Sequence, residues 1–269
     1  MPRTVRYERL RPDELRAELA RCPVCYIPFG PIEWHGPQSA MGLDALNAET
    51  IALRSAELYG GVVLPTLFVG TESERDEATL ARLGFEDTSV HVVGMDFPKN
   101  SVKSLYYREE TLRLLLRDTA RLLLQNGYKL LVFVNAHGAS NQLRALSELQ
   151  LEFDRTLRGA KVLLATPIAS ADPSLGGGHA TAGETSLLLH QHPDLVDLSK
   201  LPPTEEPLYV RDFGMADGEY FMGTAGAPFT VLDDPRTKTS AARGQADTDA
   251  EIQCLRALVD AEKKKLGIA

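Results

Sequence analysis

Acidic and imidazole side chains crowd together in three stretches of this chain. The first reads Gly30-Pro31-Ile32-Glu33-Trp34-His35-Gly36-Pro37 and runs on to Gly42-Leu43-Asp44. The second is Asn135-Ala136-His137-Gly138, and the third is Gly176-Gly177-Gly178-His179 with Glu184 five residues later. Glu33 and His35 are separated by one residue, so in extended chain both side chains point to the same side. A carboxylate beside an imidazole is the ligand set of zinc, manganese or ferrous iron, not of calcium or magnesium alone. Asp44 suits a bridging role, because each of its oxygens can take one ion. Two ions about 3.5–4 Å apart can activate water and polarise a carbonyl. His137, on a tight turn, can supply another nitrogen.

Plainer roles exist for each residue. Asp44 precedes a helical pattern and could cap it. Thr181 with Glu184 fits a capping box, T-x-x-E. A histidine after a strand can simply be a hydrogen-bonded turn residue. The chemistry rests on the convergence of several such residues, which requires elements that bring them to one place.

Short apolar runs alternate with longer amphipathic ones. Strands are expected at 24–29, 61–67, 130–134 and 161–165, and helices at 45–59, 104–125, 141–157, 182–191 and about 240–265. Leu112, Leu115, Leu116, Leu123 and Leu124 recur at helical spacing before Asn126-Gly127. Strands separated by helices of ten or more residues imply crossover connections and a mainly parallel sheet. Strands apolar on both faces fit a sheet covered on both sides, which gives an α/β fold. In such folds ligands bind beyond the carboxyl ends of the strands. The three reactive stretches follow the first, third and fourth strands.

The 269 residues carry a net charge of −8 and 43% hydrophobic content. An acidic chain is a poor candidate for nucleic acid or an anionic membrane surface. No apolar run reaches the roughly 20 residues that cross a bilayer, and the start, Met1-Pro2-Arg3-Thr4-Val5-Arg6, lacks an apolar signal core. A cytoplasmic location is the resulting expectation. Cys22-Pro23-Val24-Cys25 has no second pair, so Cys22 and Cys25 read as small buried or edge residues and Cys254 as a third thiol. His190 and His192 read as helix-end residues and His91 as a loop residue, while Lys263-Lys264-Lys265 suits the end of a helix.

Taken in order, these motifs resemble the creatininase (creatinine amidohydrolase) family. The family shows G-x-x-E-x-H-G-P, an Asp nine residues after the His, an N-G-H-G turn and a late H-x5-E-T-S. Here they stand as Gly30 to Pro37, Asp44, Asn135 to Gly138, and His179 with Glu184-Thr185-Ser186. The resemblance implies a three-layer α/β/α sandwich spanning residues 1–269 as one domain, and a hydrolase with two divalent ions, zinc, manganese or iron. By position it implies that Glu33, Asp44 and His137 hold one ion. His35 and Asp44 hold the other, with Asp44 bridging. The family's namesake completes the second ion with a Glu two residues after the turn His, where this chain has Ala139. Glu184 is the candidate replacement. His179 matches a histidine beside the substrate and, with Glu184, is the candidate for moving protons.

The chain departs from the pattern elsewhere. Its only tryptophan is Trp34, whereas the namesake covers a flat ring with tryptophans, so creatinine is not the expected substrate. The stretch after Phe97-Pro98 is long and holds Lys99, Asn100, Ser101, Lys103, Tyr106, Tyr107 and Arg108. Trp34, Tyr106 and Tyr107 are the side chains expected to meet a small, polar, hydroxylated or anionic substrate, although the tyrosines could equally be packing. The resemblance favours hydrolysis of a C–N bond in a cyclic or simple amide. Some relatives cleave a C–C bond in an oxidised inositol. A non-catalytic relative serving as a ligand-binding or assembly module is the other class of reading, suggested by Ala139 and opposed by Glu33, His35, Asp44 and His137. A serine nucleophile lacks its G-x-S-x-G elbow. The family's habit implies a homo-oligomer. The 200–240 stretch, with Tyr209, Phe213, Tyr220 and Phe221, reads as an excursion that could cap the cleft or meet another subunit.

Overall fold

Four strands, β1 (Val24–Phe29), β2 (Val62–Val63), β3 (Leu130–Asn135) and β4 (Lys161–Ala165), run parallel in the order β2-β1-β3-β4. This is a computed structural model, and it describes residues 4–96, 102–175, 178–205 and 233–268. Lys99, Asn100, Ser101, Gly176, Gly177, Tyr209, Phe213, Tyr220 and Phe221 lie outside the described residues.

Alternation along the strands sorts the core into two layers. Cys25, Ile27, Phe29, Leu131 and Phe133 pack with Leu112, Leu116 and Leu123 of α4 (Glu109–Gln125) and Leu149 and Phe153 of α5 (Ser140–Thr156). Val24, Tyr26, Leu130, Val132 and Val134 pack instead with Ala48, Ile51 and Ala52 of α2 (Leu43–Tyr59) and Ile252, Leu255 and Val259 of the C-terminal helix (Ala241–Leu266). The sheet is thus covered on both faces, giving the three layers that strands apolar on both sides require. The C-terminal helix also lies against α6 (Ala182–Gln191), and Gly244 permits the approach. A Cβ there would stand 1.9 Å from the Ser186 carbonyl oxygen.

Two local differences from the sequence reading have physical causes. The helix expected from residue 104 begins only at Glu109. Residues 104–106 run extended alongside 32–34, where Leu105 N–H donates to the Ile32 carbonyl at 2.7 Å. Tertiary hydrogen bonds there outcompete helix propensity. The strand expected over 61–67 pairs regularly only at Val62–Val63, and the chain, interrupted at Pro65, rejoins β1 through Leu67 N–H to the Pro28 carbonyl at 3.0 Å. The described helices also include α1 (Pro12–Arg21), α3 (Glu77–Arg82) and a short one at Pro235–Lys238. No helix among the described residues is long and apolar enough to cross a membrane.

Candidate metal centre

The carboxyl ends of β1 and β3 open onto a cleft of about 650 Å³. That is room for a small molecule and not for a folded partner. Glu33 and His35 lie on the loop that leaves β1. Glu33 N–H donates to the Met41 carbonyl at 2.7 Å, which folds the loop back on itself. Asp44 comes from the first turn of α2, one residue inside the helix that Gly42 caps, so it is not the cap itself. Gly30 lets that helix end approach β1, since a Cβ on it would lie 2.9 Å from the Asp44 Cβ.

His137 sits on a turn built by Asn135. The Asn135 Oδ1 accepts from His137 N–H at 3.1 Å, and its Nδ2 donates to the His137 carbonyl at 2.8 Å. Gln142 Nε2 donates to the same Oδ1 at 2.7 Å, while Gln142 Oε1 accepts from Thr71 N–H at 2.8 Å. The fixed turn aims the imidazole into the rim.

Around this rim Glu33, His35, Asp44 and His137 are all buried. His137 Nδ1 stands 2.9 Å from Asp44 Oδ2 and 3.1 Å from Glu33 Oε2. His35 Nδ1 donates to the Glu33 carbonyl at 3.0 Å, and a carbonyl only accepts, so its tautomer is fixed. The other nitrogen, Nε2, faces Asp44 Oδ1 at 3.3 Å, Glu33 Oε2 at 3.7 Å and Glu184 Oε2 at 3.9 Å. It is buried without a hydrogen-bond partner. Those distances exceed an ordinary N–H···O bond but suit donors arranged around a shared cation. Three groups therefore have ligand atoms within 4.8 Å of one another: Glu33, Asp44 and His137; His35, Asp44 and Glu184; and Glu33, His35 and His179. Asp44 belongs to the first two. The donors fit borderline divalent ions.

Electrostatics point the same way. Burial alone would strip the proton from His35, yet Asp44, Glu184 and Glu33 outweigh it and push the imidazole up to about 10. His137 is likewise raised well above its usual value: burial opposes, and Glu33 and Asp44 prevail. Burial also opposes ionisation of Asp44, but His35 and His137 hold its carboxyl far below the carboxylate range. Protonated imidazoles thus balance buried carboxylates, the balance that bound cations would provide instead.

Glu184 reaches in from α6 and accepts from Ala180 N–H at 2.6 Å, not from Thr181 as a capping box demands. Burial, opposed by His35 and helped by Asp44 and Glu33, raises it to about 7. Ala139, the N-cap of α5, lines the cleft without a donor side chain. His179 Nε2 donates to the Trp34 carbonyl at 2.5 Å, and its ring lies 4.6 Å from that of His35. Burial lowers it to about 4.

The substrate-facing candidates stand elsewhere. Trp34, Tyr106 and Tyr107 are not among the described residues that line the cleft. Trp34 contributes its backbone, accepting from His179 and donating to Ser104 Oγ at 2.9 Å. Tyr106 OH donates to Glu33 Oε1 at 2.6 Å. Tyr107 is 43% exposed. Ser73, Arg75, Met95, Ser140, Asn141 and Ile168 are part of the remaining cleft wall. Asn47 and Glu251 also line it, with Asn47 Nδ2 donating to Glu251 Oε2 at 3.0 Å. Sequence reasoning missed these two, although signals exist. Asn47 lies one helical turn after Asp44 on the same face, and Asp247 and Glu251 interrupt the apolar side of the C-terminal helix. Cys22 and Cys25 are buried free thiols, and His91, His190 and His192 stand away from the cleft.

A family model described as creatinine amidohydrolase matches residues 8–259. The chain belongs to the creatininase family. A curated relative, the creatinine amidohydrolase of Pseudomonas putida, is 29% identical over 217 residues, covering 73% of this chain and 75% of its own. A crystal structure described as creatinine amidohydrolase (creatininase) superposes with a TM-score of 0.68 at 22% identity, covering 98% of this chain and 99% of that one. A creatininase structure with manganese gives 0.65 at 22% identity over the same shares, and a further neighbour is described as a Zn-Zn type. The family expectation and the layered fold are both met, and this creatininase-family hydrolase carries candidate metal-holding groups at the rim.

Proposed function

We propose that this protein is a divalent-metal-dependent hydrolase of small polar carbonyl compounds, acting on a C–N bond in a cyclic or simple amide other than creatinine. The observation that carries this reading is the pair of donor groups, the buried Glu33 with Asp44 and His137, and His35 with Asp44 and the partly exposed Glu184, which share one aspartate. Glu184 thereby supplies the carboxylate that Ala139 lacks. Manganese and zinc in the neighbouring structures support such ions here. When bound, such ions supply Lewis acidity and make water a nucleophile near neutral pH.

The chain's own residues do the rest. His35 and His137 present unprotonated nitrogens once cations replace their protons. His179 donates Nε2–H to the Trp34 carbonyl, which fixes the ring and leaves Nδ1 as its proton-accepting atom. At a value of about 4 that nitrogen is free at neutral pH. It can take a proton during attack and return it to the leaving group. The cleft wall of Ser73, Arg75, Ser140 and Asn141 offers hydrogen bonds to a polar substrate.

The same wall favours a second reading, C–C hydrolysis of an oxidised inositol, because its side chains match a ring of hydroxyls better than a flat heterocycle. Trp34, the one tryptophan, does not line the cleft. We also propose a homo-oligomer, as the family resemblance implies, and a cytoplasmic location.

The test pairs metal analysis with a substrate panel: creatinine, cyclic and simple amides, and keto-inositols. About two equivalents of manganese, zinc or iron with turnover of an amide support the proposal. Turnover of keto-inositol alone selects the second reading. Protein purified without chelator that holds no divalent ion and turns over nothing points to a binding module.

A further inference from the structure

We propose that Tyr106 is a positioning residue for the metal centre, one that ties down one oxygen of Glu33 so that this carboxylate can offer its ion only the other. The inference rests on the two-ion reading above. Glu33 has two oxygens with distinct surroundings. Oε1 accepts from the Tyr106 hydroxyl at 2.6 Å, and Oε2 faces His137 Nδ1 at 3.1 Å and His35 Nε2 at 3.7 Å. The phenol oxygen in turn accepts from Met95 N–H at 3.3 Å, so it is held from behind.

The strip that carries Tyr106 is itself fastened to the Glu33 loop. Leu105 N–H donates to the Ile32 carbonyl at 2.7 Å, and Trp34 N–H donates to Ser104 Oγ at 2.9 Å. Ser104 Oγ–H and N–H both donate to the buried carboxylate of Asp96, at 2.8 and 2.9 Å. Residues 104 and 106 of an extended strip face the same way, toward 33 and 34, while Leu105 points outward and is 58% exposed. The phenol is thereby aimed at Glu33 from outside the cleft.

A carboxylate free at both oxygens can chelate one ion with both, which fills a coordination position that water or substrate needs. A carboxylate with one oxygen engaged by a phenol donates through the other and keeps that position open. Hydrogen-bond partners of ligating groups typically change metal affinity about 10–100-fold when removed. Tyr106 thus acts on the ion through Glu33 and never touches substrate.

The experiment titrates chelator-stripped protein with Mn²⁺ alone and counts the bound ions. In wild type two ions bind. In Tyr106→Phe the ion gripped by Glu33, Asp44 and His137 should weaken about 10–100-fold, so that one ion remains at a Mn²⁺ concentration that saturates wild type. Because Phe leaves a small gap, 4-fluorophenylalanine at the same position, which fills the space but has no proton to donate, should weaken the ion equally. 4-Aminophenylalanine, which keeps a donor, should restore it. Adding the Phe substitution to Glu33→Gln should cost nothing further, an outcome a merely structural tyrosine would not produce. Wild-type affinity for both ions in the Phe and 4-fluorophenylalanine variants overturns the inference and leaves the two-ion reading standing. A wild type that takes up no Mn²⁺ overturns the two-ion reading, and the inference falls with it.

Discussion

The two sides of the cleft are built on opposite principles. The rim at the ends of β1 and β3 buries most of its donors: Glu33, His35 and Asp44 expose 2% or less of their surface and His137 5%, while Glu184 is partly exposed. Each rim side chain is fixed by a second group, His35 by the Glu33 carbonyl, His137 by the turn of Asn135, Glu33 by Tyr106 and Glu184 by Ala180 N–H. The wall residues Ser73, Arg75, Ser140 and Asn141 come from a loop and from the start of α5, and these side chains are half-buried or exposed. On the proposed function this divides the labour: the reaction belongs to the buried rim, and substrate choice to the more exposed Ser73, Arg75, Ser140 and Asn141, whose replacement disturbs no buried carboxylate.

Perturbing each side in turn can break that division. The largest effect belongs to Asp44→Ala, which should remove both ions and all turnover, whereas Glu184→Ala should remove one ion. Metal analysis alongside a rate assay checks both, and an active, metal-loaded Asp44→Ala would sink the shared-aspartate arrangement. Next comes His179→Asn, expected to keep both ions and lose about 10²–10⁴-fold in kcat. Loss of metal in that variant would move His179 into the coordination sphere. On the wall, Asn141→Ala should leave metal content unchanged and cost about tenfold or more in kcat/KM for the best substrate of the panel. A variant that instead sheds metal would erase the distinction between rim and wall.

The smallest expected effect concerns Glu251, which burial, helped by Asp247 and opposed by the Asn47 hydrogen bond, pushes up to about 8. A carboxyl whose folded value is raised keeps its proton longer in the fold than in the unfolded chain. Stability is therefore lost as pH climbs from the ordinary carboxyl value near 4.5 to about 8. Thermal unfolding of metal-free protein should show Glu251→Gln gaining on wild type across that window, and parallel curves would contradict it.

How much of this the sequence reveals depends on whether local signals or tertiary ties decide. The strands at 24–29, 130–135 and 161–165 and the helices α2, α5, α6 and the C-terminal one were legible because apolar spacing alone specifies them. The rim residues were legible because strand ends in a parallel sheet converge on one edge. Residues 104–108 misled, since their helical continuity with Leu112 and Leu116 yields to pairing with Ile32 and to the Tyr106–Glu33 bond. The sequence left Tyr106 open between a substrate-facing aromatic and a packing one, and its contact with Glu33 was not visible there. Its neighbour in space lies 73 positions away in sequence, and nothing local marks that meeting. Glu251 was hidden for a similar reason, a charge on an otherwise apolar helix face whose partner, Asn47, belongs to α2.

The most direct measurement is anomalous diffraction from crystals of the protein loaded with Mn²⁺. Two peaks are expected, one among Glu33, Asp44 and His137 and the other among His35, Asp44 and Glu184, with Asp44 beside both. Absence of density at these groups from crystals saturated with the ion, or a single ion bound elsewhere, would contradict that arrangement.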